Sequence, residues 1–138
     1  MNSDTTFIIV HTITTAPISS NVTCNATCNG STTLTANDFG GTLTYTWTPS
    51  VSSGDIATGL CAGLYIVNIE NSIGCTITET ITITEPTAMA VTPTQTNVSC
   101  FGTANGSATV SATGGTGAYT YTWTPTNTNS PIITGLYA

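Results

Sequence analysis

Residues 97–123 read NVSCFGTANGSATVSATGGTGAYTYTW, and residues 21–47 read NVTCNATCNGSTTLTANDFGGTLTYTW. The two align without a gap at a shift of 76 residues, and half of the positions agree when the alignment is carried on to 21–62 against 97–138. The agreements fall on Cys24/Cys100, on Asn29-Gly30-Ser31/Asn105-Gly106-Ser107, on Tyr45-Thr46-Trp47-Thr48-Pro49/Tyr121-Thr122-Trp123-Thr124-Pro125 and on Gly59-Leu60/Gly135-Leu136. An internal period defines the folding unit. A period of 76 residues is a small domain, not a solenoid turn.

Within the repeat the alternation is strict. Leu43, Tyr45 and Trp47 point one way while Thr42, Thr44, Thr46 and Thr48 point the other, and Tyr119, Tyr121 and Trp123 repeat the pattern. Period-2 alternation marks a strand with one buried and one wet face. Thr and β-branched aliphatics favour strands, and Gly, Asn and Pro mark the turns between them. Further strands are expected at His11 to Pro17, Ser31 to Ala36, a short Asp55-Ile56-Ala57 element, Gly63 to Glu70 and Cys75 to Thr84. The second unit repeats them at Thr87 to Pro93 and Ser107 to Ala112. In Cys75 to Thr84, Glu79 shares the side of Ile77, Ile81 and Ile83, which predicts a rim position or an imperfect pleat. Regularly punctuated short strands without helical periodicity predict an all-β sandwich. Trp47, Trp123, Tyr45, Tyr121 and Tyr65 are expected as core aromatics.

The domain reading follows. Residues 1–10 align with Ile77 to Pro86 and read as the last strand of a preceding unit or an N-terminal extension; 11–86 is a complete sandwich; 87–138 is a second, truncated one. The truncated unit has nothing equivalent to Gly63–Pro86, its last two strands. Either the sequence is an excerpt of a longer multi-repeat chain, or a neighbouring copy fills the gap by strand addition. Residues 1–10 would repair it only in part.

Composition narrows the function. The chain has no Lys, no Arg, six acids and one His, for a formal charge of −6. Nothing neutralises phosphates, so nucleic acid and anionic lipid are excluded as partners. No apolar run approaches the roughly 20 residues that span a bilayer. Phe7-Ile8-Ile9-Val10 lacks a basic flank, so a removed leader or a longer parent chain is expected. With 39% hydrophobic residues in a regular pattern, the chain should fold.

Five cysteines point to disulfides outside the cytoplasm. A zinc site of Cys24, Cys28, Cys61 and Cys75 lacks the paired CxxC spacing of structural zinc. Cys28 and Cys61 are replaced together in the second unit, by Ala104 and Tyr137, which favours a Cys28–Cys61 bond. Cys24–Cys75 is then the remaining pair, and Cys100 is unpaired or paired outside this segment. His11 alone is a surface or half-buried strand residue. Asp38 and Asp55 form no dense oxygen run for calcium, so no metal site is expected. With no elbow, metal motif or positioned base, catalysis has no residues to rest on, and no cofactor is expected.

Together NVSCFGTANGSATVSATGGTGAYTYTW, the following GL, AGLYIVNIENSIGCT and TITEP resemble the SprB repeat family, over about 18–86 and the surviving part of the second unit. The resemblance implies tandem immunoglobulin-like β-sandwich repeats, disulfide-pinned, in very large secreted adhesins and surface filaments of gliding Bacteroidota. It implies a structural or adhesive role, with Cys24 and Cys75 at the family's Cys pair and Trp47 as its core Trp. The partners so implied are neighbouring repeats or other copies of the same filament. A carbohydrate-binding module stacking sugars on Tyr45 or Tyr121, and a self-polymerising subunit joined by strand exchange, are the alternatives.

Overall fold

A computed structural model describes residues 12–38 and 41–138. The expected strand in 1–10, His11 and Gly40 lie outside the described residues. The chain forms two compact units divided between Glu85 and Pro86.

The first unit has six strands: β1 (Thr14–Ser20), β2 (Gly30–Asn37), β3 (Leu43–Thr48), β4 (Ile56–Leu60), β5 (Gly63–Asn71) and β6 (Thr76–Ile83). They make two antiparallel sheets, in the orders β1-β2-β4 and β3-β5-β6. Alternate residues of both sheets meet in one core: Leu34, Ala57 and Leu60 from the first, and Trp47, Tyr65, Val67, Ile69, Ile81 and Ile83 from the second. The isoleucine–threonine alternation of β6 therefore does what its period demands, with Ile81 and Ile83 buried and Thr80 and Thr82 exposed. β1 runs past the Pro17 expected to close it. It pairs only with β2, and an edge strand tolerates the missing N–H of a proline.

Three features agree with the immunoglobulin plan. The two strand orders are those of its constant-type sheets without the fourth strand; a Trp on the third strand is buried; and a Tyr early in the fifth bonds back to the chain. That Tyr is Tyr65, whose hydroxyl donates to the Cys61 carbonyl at 3.1 Å.

The second unit contains one three-stranded sheet, in the order β7-β8-β9, built from β7 (Ala90–Thr96), β8 (Gly106–Thr113) and β9 (Ile132–Leu136). It copies the β1-β2-β4 sheet at the 76-residue shift, down to the register break at Gly30/Ser31 and Gly106/Ser107. Smaller details recur as well. Trp47 Nε1 donates to the Gly54 carbonyl and Trp123 Nε1 to the Ser130 carbonyl, both at 2.8 Å. The Leu34 amide donates to the Asp55 carbonyl and the Val110 amide to the Pro131 carbonyl, again at 2.8 Å. Gly59 and Gly135 take the same left-handed conformation, with φ of 67° and 73°, which a side chain would resist.

The strand expected at Tyr119–Trp123 is not formed. Its counterpart β3 is paired only with β5, and among the described residues no strand lies beside this segment to make the equivalent ladder. Instead the chain turns back on itself. Trp123 makes an isolated bridge to Thr128, and the Asn127 amide donates to the Trp123 carbonyl at 2.6 Å.

Candidate functional site

Two features carry the chemistry that this chain offers: the cysteine-bearing loops and the uncovered inner face of the second unit.

The loop after β1 is built by its own polar side chains. In the first unit the Thr27 hydroxyl and amide both donate to the Cys24 carbonyl, and Asn29 accepts from the Thr23 amide and donates to the Thr23 hydroxyl. In the second, Thr103 does the same to Cys100, and Asn105 to Ser99. The repeated Asn-Gly-Ser is thus more than a turn signal, because its Asn ties the whole loop. From this loop Cys28 reaches Cys61, just past β4, and the two are bonded.

Cys24 and Cys75 are not bonded, contrary to the expected pairing. The Val22 amide donates to the Thr84 carbonyl, the Thr84 amide to Asn21 Oδ1, and the Ala26 amide to Glu85 Oε2. Those bonds hold the Cys24 loop at the far end of β6, whereas Cys75 directly precedes that strand. Eight extended residues separate the two ends by roughly 26 Å. A disulfide needs Cα atoms within about 7 Å. Cys24 is exposed, Cys75 half-buried, and both thiols are free. Cys100 occupies the same turn as Cys24 and is likewise exposed and free.

The candidate aromatics separate by unit. Trp47 and Tyr65 are buried in the first core, and Tyr45 is half-buried against it. Burial first, and the nearby Asp55 carboxylate second, push the Tyr45 hydroxyl above its ordinary pKa. As a sugar-stacking platform Tyr45 therefore has its ring engaged with the core. Tyr121 and Trp123 are half-buried and face open space. The acids are spread out. Glu79, half-buried on the isoleucine side of β6 as its phase required, accepts from the Thr15 hydroxyl. Glu85 caps the Cys24 loop, and Asp38 accepts from the Asn71 amide group. Among the described residues, no three His, Cys, Asp or Glu side chains come together to hold a metal. No helix among them is long and apolar enough to cross a membrane.

The second unit is open where the first is closed. Leu34 is 2% exposed and Trp47 3%, but their counterparts Val110 and Trp123 are only partly covered. Ile13, 8% exposed, corresponds to Met89, 65% exposed. Several hollows lie on this unit. One, of about 380 Å³, is lined by Asn97, Val98, Gly106 and Leu136 among others. Another, of about 300 Å³, is lined by Met89, Val91, Val110, Ala112, Tyr119 and Tyr121 among others.

This is an all-β chain of antiparallel sheets that carries one disulfide and repeats its β1-β2-β4 sheet as β7-β8-β9. Residues 92–128 match the family model of the SprB repeat. No curated protein and no solved structure matches the chain.

Proposed function

We propose that the chain is a structural repeat module of a secreted cell-surface filament or adhesin, and that it performs no catalysis. The observation that carries this reading is the SprB match at 92–128, set on a unit whose loop bonds, tryptophan bond and glycine turn recur 76 residues earlier. A chain that repeats a sheet together with the loop that ties it is suited to extension and contact. Several physical features support the same use. A chain without Lys or Arg offers no site to trypsin-like proteases. The Cys28–Cys61 bond closes a loop across a small core, a form of stabilisation found mainly in oxidising compartments. The outward faces of β3 and β6 present Thr, hydrated yet uncharged, and β5 between them presents Leu64 and Ile66 beside Asn68 and Glu70, a mixed surface that suits lateral contact in a packed fibre.

Immunogold labelling of intact source cells with an antibody to the first unit tests this. Gold on the cell surface or on filaments is expected. Labelling confined to permeabilised cells would overturn the reading.

A further inference from the structure

Three of the five cysteines gather at one end of the β1-β2-β4 sheet, and all five lie within the described residues. Cys61 directly follows Leu60, which pairs with Gly30, so the end of β4 lies beside the start of β2. Cys28 stands two residues ahead of Gly30 and is bonded to Cys61 there. Cys24 belongs to the same loop as Cys28, and that loop is closed at its base. The Thr23 amide donates to Asn29 Oδ1 at 3.0 Å, and Asn29 Nδ2 donates to the Thr23 hydroxyl at 2.7 Å. A tie from residue 23 to residue 29 sets 24 across from 28, one step inside it. The Thr27 amide, donating to the Cys24 carbonyl at 3.3 Å, closes a turn whose first and last Cα atoms lie within about 7 Å, and Cys28 comes next. Cys24, Cys28 and Cys61 are all exposed, so neither the thiol nor the disulfide is shielded.

We propose that these three cysteines form a thiol–disulfide exchange site in which Cys24 is the internal nucleophile that releases the Cys28–Cys61 bond. The Cys24 thiolate attacks Sγ of Cys28. The Cys24–Cys28 bond forms as the Cys28–Cys61 bond breaks, and Cys61 leaves as a thiolate that takes up the proton Cys24 gave up. One thiol and one disulfide stand on each side of the step, so no outside oxidant or reductant is needed. Attack by a thiolate on an accessible disulfide sulfur is the general route of such exchange. Its product replaces a bridge over 33 residues with one inside a single loop. The loop after β1 is then no longer fastened to the end of β4, and a thiol is freed at Cys61, whose carbonyl accepts from Tyr65. The second unit lacks this device. Cys100 sits in the same tied loop, but Ala104 and Tyr137 stand at the positions of Cys28 and Cys61, which leaves its thiol no bond of its own unit to attack. The inference rests on the loop and its disulfide, not on where the protein is located.

The test incubates the full chain without added thiol, gives a short pulse of N-ethylmaleimide, acidifies, and maps pepsin fragments by mass spectrometry. Acid halts exchange because the thiolate is the attacking form. A Cys24–Cys28 bond together with alkylated Cys61 is expected, in a fraction that grows to a plateau and does not change when the protein is diluted. Cys24→Ser should lose this species while keeping the urea midpoint, which shows an intact fold. Cys100→Ser should retain it in full. The proposal is overturned if Cys61 stays bonded throughout, or if alkylated Cys61 survives Cys24→Ser. It is overturned too if the rate scales with protein concentration, because a second molecule would then be the attacker.

Discussion

Tyr65 was legible as a core aromatic, but its hydroxyl has a second role that alternation cannot reveal. It donates to the Cys61 carbonyl at 3.1 Å and so pins the chain between β4 and β5 beside the disulfide. Tyr65→Phe should cost about 1 kcal/mol of unfolding free energy in urea titrations, the usual net value of one hydrogen bond. Tyr45 gives a pH-dependent counterpart. Its folded pKa is raised above the ordinary value of 10 by burial, then by Asp55, so the folded chain holds this proton more tightly than the unfolded chain. That contribution is fully present below pH 10 and is lost as pH rises through the higher folded value. Stability should therefore fall above about pH 10, and Tyr45→Phe should flatten the fall when urea midpoints are measured across that range. The cysteines are the residue-scale misreading. Joint replacement of Cys28 and Cys61 at Ala104 and Tyr137 is a local signal, and those two are bonded. Pairing Cys24 with Cys75 by elimination used no distance, and the distance along β6 forbids it. Thiol titration of the native chain should find the free sulfhydryls of Cys24, Cys75 and Cys100, with Cys75 the slowest of them to react because it is half-buried.

At the scale of elements, strands were readable wherever one face is buried, since burial is what enforces a period of two. β3, β5 and β6 each show it, and each lies where alternation placed it. Residues 119–123 carry the same alternation and form no strand, because a strand also needs a neighbour to bond and sequence pattern records only the face. The loop after β1 was readable as a turn, but its bonding through Asn29 and Asn105 was not. Nothing in a one-dimensional pattern says that Asn29 reaches Thr23 six positions back. The Cys28–Cys61 bond joins this loop to the end of β4 over a separation of 33 residues. Replacing both cysteines with Ala should cost about 4 kcal/mol by loop entropy, read as a lower urea midpoint for the first unit. Gly30→Ala should also destabilise that unit, by about 1–3 kcal/mol, because the added methyl meets Ile83 Cγ2 at 2.8 Å and the Leu60 carbonyl oxygen at 3.0 Å in a closed core.

At the scale of the whole molecule, one three-stranded sheet recurs: β1-β2-β4 of the first unit returns as β7-β8-β9 in the second. Among the described residues, the first unit has two sheets around a shared core and the second has one. The duplication was visible in the sequence because it is a matter of identity, and the family resemblance rested on the same residues. The consequence for the second unit was only half visible. That 119–124 forms no strand needed the pairing, which sequence pattern does not record. The most direct measurement is native-state amide hydrogen exchange on the chain alone, comparing 43–48 with 119–124. A strand held by its neighbour predicts slow exchange in 43–48, between the core and β5, and fast exchange in 119–124, which has only the Trp123–Thr128 bridge despite its near-identical sequence. Equal protection of the two segments would contradict it.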